Sequence, residues 1–222
     1  MMMQDSISEN KPKKMLIPFK TLFKRHCISP TGVLHIGANE GQEVPDYLDR
    51  GIEHIILIEA IPEIAKELAE FMQDFKDIIV LNACVTDKDD EQVNLNVSNN
   101  GGQSSSILEF GTHKTAHPEV KFIDYIPMKT SRIDTLLKNY DLSKYNFLNI
   151  DIQGAELLAL KGMGEQLNKI KYAYIEVNTD ELYIGCPHLS DIDAYMNSFG
   201  FVRKELSMTD FKWGDAFYIK QN

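Results

Sequence analysis

The chain has 222 residues, 43% of them hydrophobic and 25% charged, the balance of one folded globular domain rather than a disordered or fibrous chain. At this length folding removes roughly 70% of the unfolded chain's surface from water, enough for a core without disulfide or metal staples. Thirty-three acidic residues against 23 basic ones leave a formal charge of -10, which argues against nucleic acid or an anionic membrane surface as partner.

Met1–Lys14 is polar, has the composition of a mobile tail, and lacks the apolar core of about 7–15 residues that marks a signal peptide. No apolar run approaches the roughly 20 residues of a membrane span. Cys27, Cys84 and Cys186 are scattered, without C-x-x-C spacing, and fit buried thiols in a reducing compartment, so a cytoplasmic protein is expected. Met15–Cys27 carries Leu16, Ile17, Phe19, Leu22 and Phe23 among lysines, which predicts a short amphipathic helix. Pro30-Thr31-Gly32 ends it, dividing the chain into a tail and helix over 1–30 and a single domain over 31–222.

Within that domain, apolar runs at 33–36, 54–58, 78–81, 147–150 and 172–175 predict strands. Helical spacing is present around Val44, Tyr47 and Leu48 and over Pro62–Phe75, where Ile64, Leu68, Phe71 and Met72 share a face. Further helices are predicted over 133–140, 154–162 and 190–199, and a last strand over 216–219. Val93–Val97 alternates like a half-exposed strand, and the polar stretch from Ser98 to Ser106 reads as a long loop, of the kind that is functional or a lid. Strands alternating with helices predict an α/β, doubly wound, mostly parallel sheet. Strands that are apolar throughout fit a sheet covered on both faces.

In such sheets ligands bind beyond the carboxyl ends of the strands. Those ends read His35-Ile36-Gly37-Ala38-Asn39-Glu40-Gly41, Glu59-Ala60, Asn82-Ala83, Asp151-Ile152-Gln153-Gly154-Ala155-Glu156 and Glu176-Val177-Asn178. A glycine turn lets a ligand approach the backbone, and Glu59 lies 22 residues beyond Gly37, near the spacing of a carboxylate that holds a ribose diol. Together they suggest an adenosine-containing cofactor. A nicotinamide fingerprint needs glycines at 37, 39 and 42, whereas the chain has Gly37, Asn39 and Gln42. S-adenosylmethionine (SAM) has no phosphate and is served by a looser turn, which Gly37, Asn39 and Gly41 supply.

The blocks VLHIGANEGQE (33–43), LIEAIP (57–62), SSSIL (104–108), TSRIDTLL (130–137), FLNIDIQGAELLALKG (147–162), IEVN (175–178) and WGDAFYIK (213–220) resemble, in order and spacing, the FkbM-type branch of class I SAM-dependent methyltransferases. The resemblance implies a Rossmann-like methyltransferase fold with an antiparallel last strand and methyl transfer to a hydroxyl of a sugar or other small-molecule or glycan acceptor. Carried over by position, Gly37, Ala38 and Gly41 line the methionine side, Glu59 and Ala60 meet the ribose, and Asn82 and Ala83 flank the adenine. His35 stands where many relatives have an acidic residue for the methionine ammonium.

An alcohol acceptor must lose a proton as it attacks, so a general base is expected near the later strand ends. Asp151 is the leading candidate, with Glu156, Glu176, Asn178 and His188 behind it. Asp151 and Glu156 beside a helix start would also offset its dipole. Asp151, Glu176 and Asn178 are in addition a candidate Mg²⁺ set. His26, His113 and His117 have no metal spacing and are expected in solvent. A nicotinamide-dependent oxidoreductase and a noncatalytic SAM-binding protein are the alternative readings.

Overall fold

The computed structural model describes residues 15–221, so the polar tail expected over Met1–Lys14 lies outside the described residues. One seven-stranded sheet has the order β3-β2-β1-β7-β8-β10-β9. Its strands are β1 (Gly32–Ile36), β2 (His54–Glu59), β3 (Ile78–Asn82), β7 (Phe147–Ile150), β8 (Tyr172–Asn178), β9 (Phe201–Met208) and β10 (Trp213–Lys220). The first five are mutually parallel, and β10 is antiparallel to both β8 and β9. A smaller sheet joins β4 (Cys84–Val85), β6 (Phe122–Ser131) and β5 (Gln92–Ser98) in the order β4-β6-β5.

Strand alternation decides which helices cover which face. Leu34, Ile36, Ile56, Ile58, Leu148 and Ile150 point to the side covered by α5 (Ile133–Leu136), α6 (Glu156–Met163) and α7 (Leu189–Ser198). Val33, Ile55, Leu57 and Phe147 point to the other, covered by α1 (Phe19–His26), α2 (Val44–Leu48) and α3 (Pro62–Met72). Helix α4 (His113–Ala116) belongs to the connection between β5 and β6. The amphipathic helix expected before the domain is α1, and it is part of the core. Phe19 is fully buried, with ring centroids 5.2 Å from both Tyr47 and Tyr174.

Some expectations are corrected. On α3 the buried stripe is Ala65, Leu68 and Met72, whereas Phe71 is 75% exposed, because the helix stands on the sheet edge and its outer side faces solvent. Strands β4, β6 and β9 are additional to the expected set. Cys84 and Cys186 are buried free thiols, but Cys27 is exposed at the left-handed C-cap of α1. The chain reverses from the β3 edge back to β7, so the parallel order switches between β1 and β7, where an open α/β sheet leaves a crevice at its carboxyl ends.

Candidate active site

A cleft of about 1150 Å³, its open mouth included, lies at that switch point and reaches the ends of β1, β2, β7 and β8. Gly37 forms its floor with φ +84°, and a Cβ there would lie 1.8 Å from the main-chain oxygen of Asp151. Only glycine lets the exits of β1 and β7 come this close. Asn39, also left-handed at φ 45°, turns its N–H onto Glu59 Oε2 at 2.8 Å.

Glu59 is 6% exposed and closes β2. Its Oε1 accepts the Ile61 N–H at 2.8 Å, so each carboxylate oxygen is aimed by a backbone amide and keeps lone-pair capacity. Burial pushes the Glu59 carboxyl above its ordinary range, opposed by the amides of Ile61, Asn39 and Ala60. Ala60 and Ala83 line the cleft beside it. His35 also lines the cleft, but burial lowers its ring to about 4 against the pull of Asp151, so it is neutral at neutral pH. Its ring faces Tyr47, whose hydroxyl accepts from Asn149 Nδ2 at 2.8 Å.

Three expected cofactor residues lie behind the lining rather than in it. Ala38 is fully buried in the core. Gly41 packs on Leu68, whose Cδ1 would be 2.7 Å from an added Cβ. Asn82 donates its side-chain N–H groups to the main-chain oxygens of Glu59 and Ala60, each at 2.9 Å, which caps the end of β2.

At the other end of the cleft, Asp151 follows β7 and Glu176 lies near the end of β8, and the side chain of Gln153 joins them. Gln153 Nε2 donates to Asp151 Oδ1 at 2.5 Å and to Glu176 Oε2 at 2.7 Å. Its Oε1 accepts from the Tyr183 hydroxyl at 2.6 Å, and its main-chain oxygen accepts from Ser106 Oγ at 2.7 Å. The backbone at Gln153 is left-handed, φ 56°, a conformation that costs a side-chain-bearing residue roughly 1–2 kcal/mol. Glu156 holds this turn: its Oε1 accepts the N–H groups of Ile152 and Gly154 at 3.1 and 3.0 Å. The carboxyl of Glu156, pushed upward by burial, is outside the lining of the cleft, which removes it from the candidate bases.

Gln103, Gln153, Glu176 and Trp213 form a common wall with a second cavity, bounded also by His113, His117, Glu119 and Asn178. His113 is therefore not in solvent. It is 5% exposed and stacked on Phe110 with ring centroids 4.3 Å apart. His26 is half-buried and paired to Glu205 Oε1 at 2.6 Å. His188, expected near the chemistry, lines neither cavity. It is the exposed N-cap of α7, its N–H donating to Asp191 Oδ2 at 2.8 Å.

The segment from Ser98 to Ser106 is an ordered roof rather than a structureless loop. Ser98 Oγ donates to Asn100 Oδ1 at 2.6 Å and accepts the Ser104 N–H at 3.1 Å, while Asn39 Nδ2 donates to Gly101 O at 3.0 Å. Gly102, Gln103, Ser105 and Ser106 face the cleft.

The Mg²⁺ set does not fit this arrangement. The Gln153 amide hydrogens occupy the facing oxygens of Asp151 and Glu176, and Asn178 lines the second cavity rather than the cleft. Among the described residues no group of three His, Cys, Asp or Glu is placed to hold a metal ion. Among the same residues, no helix is long and apolar enough to cross a membrane.

Sequence reasoning missed Gln153, Tyr183 and Trp213. Gln153 and Trp213 stand inside blocks already singled out, but nothing local to either block shows what they meet in space.

Comparison with known proteins agrees with this geometry. The family model described as the methyltransferase FkbM domain matches residues 35–203. A curated relative, 2-O-methyltransferase NoeI from Sinorhizobium fredii (strain NBRC 101917 / NGR234), is 27% identical over 177 residues, which are 77% of this chain and 72% of that protein. The crystal structure of a SAM dependent methyltransferase from Aquifex aeolicus superposes with a TM-score of 0.50 at 15% identity, covering 95% of this chain and 93% of that one, and shows the fold to be shared. The sheet order, the glycine turn after β1, the carboxylate closing β2 and a match over residues 35–203 of 222 together establish that the chain belongs to the methyltransferase FkbM domain family.

Proposed function

We propose that this chain transfers a methyl group from SAM to a hydroxyl of a sugar or glycan. The observation that carries the donor half is Glu59, a buried carboxylate aimed by two backbone amides into a cleft floored by Gly37. A ribose diol is a pair of O–H donors, and two fixed carboxylate oxygens match it. Adenine then lies toward Ala83, and the methionine end toward Asp151 and Glu176. Because His35 is neutral, the methionine ammonium falls to carboxylates that line the cleft, of which Glu43 and Asp215 leave Asp151 for the chemistry.

The acceptor half rests on the second cavity. It opens across the common wall beside Asp151, and Trp213, His113 and Tyr183 offer aromatic faces beside the carboxamides of Asn178 and Gln103. Apolar ring faces next to convergent polar groups suit a hydroxylated ring. In the reaction, an acceptor oxygen held in line with the sulfonium gives its proton to Asp151 as the carbon–oxygen bond forms and the carbon–sulfur bond breaks, which leaves S-adenosylhomocysteine (SAH). Alignment alone can lower such a barrier by about 7–11 kcal/mol. The 2-O-methyltransferase relative supports the same reading, and the cytoplasm is part of the proposal.

Calorimetry with SAM tests the donor assignment. Glu59→Ala removes charge-assisted hydrogen bonds worth about 1.5–3 kcal/mol and should weaken SAM about 10- to 100-fold. Unchanged affinity in a folded variant would reject Glu59 as the ribose partner.

A further inference from the structure

We propose that Gln153 is a positioning residue whose amide keeps the carboxyls of Asp151 and Glu176 from sharing a proton, so that Asp151 stands ready as a base. Its effect on turnover rests on the methyltransferase reading above; its effect on the two carboxyls does not.

The argument starts from the donor count. A primary amide has two N–H groups, and those of Gln153 point at Asp151 Oδ1 and Glu176 Oε2. The unprotonated oxygen of a carboxyl is by far the better acceptor of an N–H, since a carboxylic O–H oxygen accepts only weakly. Each carboxyl therefore turns an unprotonated oxygen toward Gln153, and the space in which two neighbouring carboxyls would otherwise hold a common proton is filled by nitrogen. The Tyr183 hydroxyl, donating to Oε1 at 2.6 Å, favours this orientation of the amide over the turned one. Ser106 from the roof holds the main chain at the same residue.

The backbone supports the same assignment. At φ 56° glycine would be the relaxed choice, yet the position carries a long side chain that is 7% exposed and bonds three residues, Asp151, Glu176 and Tyr183. A residue needed only for the turn would not require that side chain. Its place on the wall between the two cavities puts the device where donor and acceptor meet.

Among the described residues, the charged and titratable groups around the pair differ in kind from the Gln153 amide. His35, Glu156 and Tyr174 act on Asp151 electrostatically, and Asp215 faces Glu176 across the β8–β10 ladder. Two of these four are carboxyls that add negative charge, the histidine is neutral, and the tyrosine is protonated. Tyr183 meets the pair through Gln153 Oε1.

The test is a carboxyl-detected NMR titration of ¹³C-labelled full-length protein, wild type beside Gln153→Glu, Gln153→Gly and Tyr183→Phe, run with a pH profile of methyl transfer. Gln153→Glu places a third carboxyl between the other two, and the midpoint of Asp151 or Glu176 should rise by about one pH unit or more. The acid limb of the kcat profile should move the same way, while SAH affinity changes little. Gln153→Gly, which relaxes the backbone, should also raise one of the two midpoints, which a purely structural role would not do. Should the Glu variant fail to fold, Tyr183→Phe, which frees the amide to turn, should give a smaller rise. Midpoints that stay at their wild-type values in the folded variants overturn the proposal. Shifted midpoints in a protein that transfers no methyl group would instead leave the clamp standing and overturn the methyltransferase reading.

Discussion

Asp151→Asn should reduce the rate of methyl transfer by about 10²- to 10⁴-fold while leaving SAH binding nearly intact. The substitution keeps the shape of the side chain and an oxygen for Gln153 Nε2, so the turn after β7 is preserved, but the group can no longer take up a proton. An alcohol is a poor nucleophile until its proton leaves, which is why the loss falls on kcat. The measurement is single-turnover transfer with bound SAM, together with calorimetry of SAH. A folded Asn variant with wild-type turnover would remove Asp151 as the base, and Glu176 on the same wall would then be the carboxylate to test.

Gly37→Ala should cost the fold and the donor site together. Its left-handed backbone penalises a Cβ by roughly 1–2 kcal/mol, and the predicted contact of 1.8 Å to the Asp151 main-chain oxygen forces β1 and β7 apart at their exits. Overpacking of this kind typically adds about 1–3 kcal/mol, for a total of about 2–5 kcal/mol. In a domain of this size that corresponds to a fall in Tm of roughly 4–20 °C. Gly51→Ala is the internal control. It has a similar φ of +73° and nothing within 4 Å of the added Cβ, so it should lose only the backbone share and keep full SAM affinity. Equal losses in the two variants would show that the close approach at Gly37 is unimportant.

Much of the frame is legible in the sequence because parallel strands buried on both faces are continuous apolar runs. Val33–Ile36, Ile55–Ile58 and Phe147–Ile150 have that form, and the polar residues that end them are the cleft. Strand β6 is not of that form. Its FIDYIPMKTS contains a proline and is largely exposed, since only its end near Thr130 reaches the core. Strand β9 lies on a sheet edge with Val202 and Leu206 outward and the charged Arg203 and Glu205 half-buried in ion pairs with Asp193 and with Arg25 and His26, so the pattern of FVRKELSM does not show which side is covered.

Side-chain fates were harder to read for a related reason. His113 and His188 look equally polar in the sequence, but only stacking with Phe110 and Tyr183 buries the first, and a capping role at α7 leaves the second in solvent. The function of Gln153 depends on partners 23, 30 and 47 residues away and on a left-handed backbone that residue type does not advertise. Glu156 shows the converse. Its position beside a helix start fits a general base or a capping group, and its two bonds to the Ile152 and Gly154 amides decide for the second.

The central claim is that this cleft passes a methyl group from SAM to a hydroxyl, and product analysis tests it most directly. The full-length protein is incubated with SAM labelled with ¹³C at the methyl group and a panel of neutral glycans, and the products are examined by mass spectrometry and ¹³C NMR. The account predicts a one-methyl mass gain on a glycan, a labelled O-methyl resonance, and SAH formed in equal amount. Glycans recovered unchanged by a protein that binds SAM, or label found on nitrogen or sulfur instead of oxygen, would contradict it.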